Sequence, residues 1–161
     1  MHKVIPMAEL YPVMEETLKT GGLVSFTSTG TSMMPMLKHK RDIVILEPVT
    51  NLLHVHDVVL YRRDSGQYVL HRIVGREPNG DYILCGDNQF MLEHHISRKQ
   101  MIGRLQSFTH NGRRIACTLP SYKAYVALLP LLRFIKHGLL VCRGYASALK
   151  RRIRRPAGGN R

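Results

Sequence analysis

The sequence contains no aspartate or glutamate after Glu93. Residues 1–93 hold all 11 acidic residues and 9 Lys or Arg, a balance of −2. Residues 94–161 hold 15 Lys or Arg and no acid, a balance of +15. A back half of that kind seeks an anionic partner: membrane lipid, nucleic acid or an acidic protein. Cysteine is also scarce. Cys85, Cys117 and Cys142 are too few, and odd in number, for a disulfide framework or a zinc site, so reduced structural thiols are expected. No stretch reaches the roughly 18 uninterrupted apolar residues of a membrane span; the nearest, residues 124–142, is broken by Pro130, Arg133, Lys136 and His137. The first residues do not read as a signal peptide, because the apolar run is short and Glu9, Glu15 and Glu16 follow at once. A cytoplasmic or peripherally membrane-associated protein is the resulting expectation.

At 161 residues and 44% hydrophobic composition, the chain is long enough for one domain with a modest core. Met7, Leu10, Met14 and Leu18 share one helical face, which predicts a helix over 7–20 that becomes regular near Tyr11, because of Pro12, and stops at Gly21-Gly22. Short strands are predicted next, at residues 23–27, 42–47, 57–62, 68–74, 82–84 and 101–110, separated by turn sequences such as Asp64-Ser65-Gly66 and Pro78-Asn79-Gly80-Asp81. The fold class is therefore mainly β, a coiled sheet or barrel with a short N-terminal helix. Residues 121–153 alternate apolar and basic residues at helical spacing, with Pro130 expected to kink or divide the helix. The resulting organisation is a mainly β domain at 1–118, a basic amphipathic helical extension at 119–155 suited to a membrane surface, and a disordered tail at 156–161. Phe108, Tyr122, Tyr125, Phe134 and Tyr145 offer stacking surfaces, but they fit helix packing equally well, so only weak, nonspecific nucleic-acid binding is expected.

Candidate chemistry rests on four residues. Ser32 sits among small residues, before Met33-Met34-Pro35, where a tight turn can expose a hydroxyl and aim N–H groups at an oxyanion. His71 lies inside the apolar run Val69-Leu70-His71-Arg72-Ile73-Val74. On a strand it shares a face with Val69 and Ile73, and desolvation there keeps an imidazole neutral, as a general base requires. Asp87 and Glu93 are the acids positioned to fix its tautomer, and the sequence leaves open which one does. His54-x-His56 and His94-His95 lack companion ligands at a recognisable spacing, so neither a metal nor a cofactor is expected.

The ordered set Gly30-Thr31-Ser32-Met33-Met34-Pro35, then residues 41–45, 56–61, Leu70-His71-Arg72-Ile73-Val74, Gly86-Asp87-Asn88-Gln89 and 101–105 resembles the core of the type I signal peptidase superfamily. The histidine at position 71 resembles the Ser-His branch found in archaea and the endoplasmic reticulum. That resemblance implies Ser32 as nucleophile, His71 as base and Asp87 as the acid of a Gly-Asp-Asn motif. It places Glu93 where the branch usually has a further aspartate. It also implies cleavage of a leader or signal segment from a precursor peptide, with the substrate added as a strand along residues 23–28, and with Ser28 or Thr31 assisting the oxyanion. The chain departs from the family in having no visible N-terminal anchor. A self-cleaving LexA-like regulator would carry lysine in place of His71, and a catalytically inactive binding module of the same fold is the alternative reading.

Overall fold

The computed structural model describes residues 7–50 and 52–153. The expected tail at 156–161 lies outside the described residues. The chain opens with helix α1, Met7–Lys19. It begins before Tyr11, earlier than expected, because a proline this close to the helix start removes a single backbone bond. Met14 and Leu18 are buried on its inner face. Gly21 ends the helix at φ +88°, and the Gly22 N–H donates to the Thr17 carbonyl at 2.9 Å.

Eight strands follow: β1 (Val24–Thr27), β2 (Ile43–Pro48), β3 (Val58–Arg62), β4 (Tyr68–Arg76), β5 (Tyr82–Cys85), β6 (Glu93–Ile96), β7 (Met101–His110) and β8 (Arg113–Ala116). They form one antiparallel sheet in the order β1-β2-β7-β3-β4-β5-β6, with β8 added on β7. The sheet is open, with β1 and β6 at its ends, so the barrel alternative is not adopted. β6 and β8 were not expected from the sequence. Their segments, Glu-His-His-Ile and Arg-Arg-Ile-Ala, are short and polar and lack the alternation that marks a half-buried strand.

β3 explains why the core has two parts. Its run Val58-Val59-Leu60-Tyr61 is buried on both faces. Val58 and Leu60 join a cluster with Met14, Leu18, Val44, Leu46, Leu105 and Phe108. Val59 and Tyr61 join the other, with Leu53, Ile73, Tyr82, Leu84 and Ile96. Arg63 and Gln67 close the β3–β4 hairpin through a 2.9 Å backbone bond, with Gly66 at φ +83° in the turn. That hairpin sets His71 opposite Val59 and Arg72 opposite Val58.

A last helix, α2, runs Pro120–Ile153 and continues through Pro130 rather than dividing there. Its first turns, with buried Tyr122 and Val126, belong to the compact unit that ends at Val126; residues from Ala127 onward form a second unit. Among the described residues no helix is long and apolar enough to cross a membrane.

Arg72 is 1% exposed and carries a charge into the core. Asp87 answers it with both oxygens, at 2.8 Å from Nε and 2.7 Å from Nη2. The remaining donors reach the His56 carbonyl at 2.7 Å, the Tyr122 hydroxyl at 2.9 Å and Met36 Sδ at 3.3 Å. Tyr125 donates its hydroxyl to Asp87 at 3.0 Å. Removing one member of such a pair strands the other charge without water. Asp87→Ala is therefore expected to lower the unfolding free energy by about 3–5 kcal/mol, as read from urea denaturation.

Candidate active site

Ser32 sits on the turn between β1 and β2. Gly30 takes φ +94° there, and its N–H donates to His39 Nδ1 at 2.8 Å. The turn is also held from the far side by the segment after β5. The Asn88 N–H donates to the Ser32 carbonyl at 2.7 Å, and the Asn88 side-chain amide donates to the Thr31 carbonyl at 3.0 Å. Gly86 packs so closely that a Cβ there would lie 2.6 Å from the Ser32 carbonyl oxygen. Gly86 and Asn88 thus fix the backbone of the serine turn.

Ser32 and His71 line one cleft of about 650 Å³, together with Ser28, Met33, Arg63 and Leu70. Tyr11 of α1 stacks on Tyr68 at its wall, with ring centroids 4.0 Å apart. Of the two expected oxyanion helpers, Ser28 lines the cleft, whereas Thr31 turns its carbonyl to Asn88. The cleft runs beside two strand edges. Among the described residues β1 ends the sheet and pairs only with β2. β4 pairs with β3 over residues 68–72 and meets β5 only from Arg72 onward. The outer edge of Tyr68 to His71 therefore has no strand partner among the described residues.

The two candidate acids separate. Glu93, at the start of β6, places Oε1 3.1 Å from His71 Nδ1. Asp87 is taken by Arg72, on the opposite face of β4. The acid that touches His71 is Glu93. Sequence reasoning missed the groups around this pair. Arg63 grips Glu93 with Nε at 2.7 Å and with Nη2, and the Tyr61 hydroxyl lies 3.3 Å from His71 Nδ1. Tyr61 and His71 do share a strand face in a hairpin register, and that signal was available. The partnership of Arg63 with Glu93, 30 residues away, had none.

Electrostatics favour a neutral base beside an ionised acid. Burial pushes the His71 imidazole below its ordinary 6.5; Glu93 pulls it back up, and the Arg63 charge lowers it again. Burial works against ionisation of Glu93, but its bonds to Arg63 and Tyr61 outweigh that and hold its carboxyl below the usual range. The Tyr61 phenol is driven up, by burial first and by Glu93 second, and stays protonated. With Nδ1–H donating to Glu93, the His71 lone pair is on Nε2. The arrangement can deprotonate a hydroxyl. Among the described residues the one group able to hold a metal ion, Glu77, Asp81 and His95, is not part of this cleft.

No family model and no curated protein matches the chain.

The His71 ring is expected to titrate below 6.5 when followed by NMR. Glu93→Gln removes the charge that raises this value, so the midpoint should fall further. Gly86→Ala should displace Ser32 without touching His71, and crystallography of the variant would read the shift directly.

Proposed function

We propose that the chain is a serine endopeptidase that cleaves a leader or signal segment from a precursor, as its resemblance to the Ser-His signal peptidases implies. The observation that carries this reading is a serine on a clamped turn and a buried histidine in one cleft, with a carboxylate on the far nitrogen of the histidine. His71 Nε2 takes the Ser32 hydroxyl proton as Oγ attacks a peptide carbonyl carbon. N–H groups of the turn, with Ser28 nearby, offer donors to the oxyanion. Collapse of the tetrahedral species breaks the C–N bond, and the leaving amine takes the proton from His71. Water then attacks the ester, gives a proton to His71, and the serine is restored as the acid product leaves. Glu93 orients the imidazole and stabilises the imidazolium. Arg63 positions Glu93.

The unpaired edges of β1 and β4 support an extended peptide as substrate, docked by backbone hydrogen bonds. The second unit supports contact with an anionic membrane surface. Leu128, Leu131, Phe134 and Ile135 are exposed there, in a half of the chain that has no acid.

The test compares peptide N-termini by mass spectrometry in host cells carrying the wild-type protein or Ser32→Ala. A precursor that stays uncut only in the variant supports the reading and supplies the substrate. Unchanged N-termini, with the variant expressed and folded, would leave an inactive binding module. Once a substrate is in hand, Glu93→Gln should reduce kcat/KM by about 10²–10⁴-fold. The acid limb of the wild-type kcat/KM profile should fall below pH 6.5, because the free base must lose its proton to act and burial favours that loss.

A further inference from the structure

We propose that Glu77, Asp81 and His95 form a binding site for a divalent transition-metal ion, with zinc the best fit. The site lies outside the cleft, where the end of β4, the turn before β5 and the edge strand β6 come together. Sequence spacing argues against a metal at His94-His95, because both carboxylates stand far from the pair along the chain.

The donor atoms of all three residues lie within 4.8 Å of one another. Metal–ligand bonds of 2.0–2.2 Å place tetrahedral ligands about 3.4 Å apart, so small side-chain movements bring the set onto one ion. His95 Nδ1 is already 2.6 Å from one Glu77 oxygen, which a bound cation would push apart. Two carboxylates and one imidazole neutralise a 2+ ion and leave a fourth position for water. That mixture of oxygen and nitrogen donors suits zinc better than magnesium or calcium, which take oxygen alone.

The surroundings hold the ligands in place. Glu77 and Asp81 stand at the two ends of a tight turn, closed by the Glu77 N–H on the Asp81 carbonyl at 2.9 Å. Asn79 bonds Asp81 at 2.8 Å, and His94 Nδ1 lies 3.0 Å from the second Glu77 oxygen. Hydrogen bonds of this kind orient ligating carboxylates. His95 adopts φ +58°, an uncommon conformation for a residue with a Cβ. The β5–β6 ladder is interrupted at that point. Its pairs are Tyr82↔Ile96 and Leu84↔Glu93, with an irregularity between them. His94 and His95 are the residues between those pairs, and their bonds to Glu77 bridge the gap.

A metal there would fasten a short edge strand whose first residue is Glu93. The link from metal to His71 rests on the peptidase reading; the metal site itself does not.

The test uses the full chain, stripped by a chelator and titrated with zinc chloride by calorimetry. One zinc per chain is expected. Excess zinc should raise Tm by about 5 °C and slow amide exchange across 93–96. Glu77→Gln and His95→Ala should each weaken binding more than tenfold, and His54→Ala should not change it. Glu77→Gln keeps the size of the side chain, so it serves if His95→Ala fails to fold. Absence of zinc binding, or equal affinity in the folded variants, would overturn the proposal. Ser32→Ala protein should give the same zinc result, so a failed peptidase assay and a failed metal assay remain separate outcomes.

Discussion

The buried pairing of Arg72 with Asp87 is the constraint on which the site depends. An arginine under a sheet is tolerable only if every donor finds an acceptor. Asp87, the His56 carbonyl, Tyr122 and Met36 Sδ meet that demand. In doing so they fix Asp87, and with it the residues on either side. Gly86 lies against the Ser32 carbonyl, and Asn88 donates to it. A charge pair outside the cleft thus sets where Ser32 stands. The same pair receives a hydroxyl from Tyr125, so the opening turns of α2 complete the network rather than simply covering it.

Strand periodicity divides the labour further. Neighbouring side chains on β4 point to opposite faces, so His71 and Arg72 can carry unrelated duties. One receives Glu93 and the other Asp87. At His71, burial favours the neutral ring and Glu93 favours the charged one. Burial prevails, helped by the nearby guanidinium of Arg63. Arg63 therefore acts twice. It keeps Glu93 ionised, and it limits how far Glu93 can raise the base. A histidine that is neutral at rest, and beside a carboxylate once protonated, can both take up and give back a proton.

Much of this was legible from the residues. The strand with His71 at its centre followed from apolar alternation and from the Asp64-Ser65-Gly66 turn. The mainly β class followed from the number of short strands. The choice between Asp87 and Glu93 did not, because it depends on where β6 pairs, and Glu93-His94-His95-Ile96 carries no strand pattern. Pro12 misled, and of the two expectations at Pro130, a kink or a division, the division did not occur. A proline costs one bond and some local strain, and a helix supported elsewhere absorbs that cost. The companions of His95 were hidden for a further reason. Ligand spacing along a chain reveals sites built from one segment, whereas this group is assembled across a turn and an edge strand.

The cleft also carries an argument about selectivity. Its two flanking edges, β1 and the first half of β4, offer backbone donors and acceptors that read no side chain. On the proposed reading any extended segment can satisfy them, so backbone pairing supplies affinity and register rather than choice. Choice must come from what the walls admit, and those walls are largely fixed. Tyr11 and Tyr68 are stacked on each other, Met33 is buried, and Leu60 belongs to the core. Enlarging a pocket there would disturb the same packing that seats α1 on the sheet. On the proposed reading, selection near Ser32 falls to these walls, and the packing that shapes them is the packing that holds α1 on the sheet.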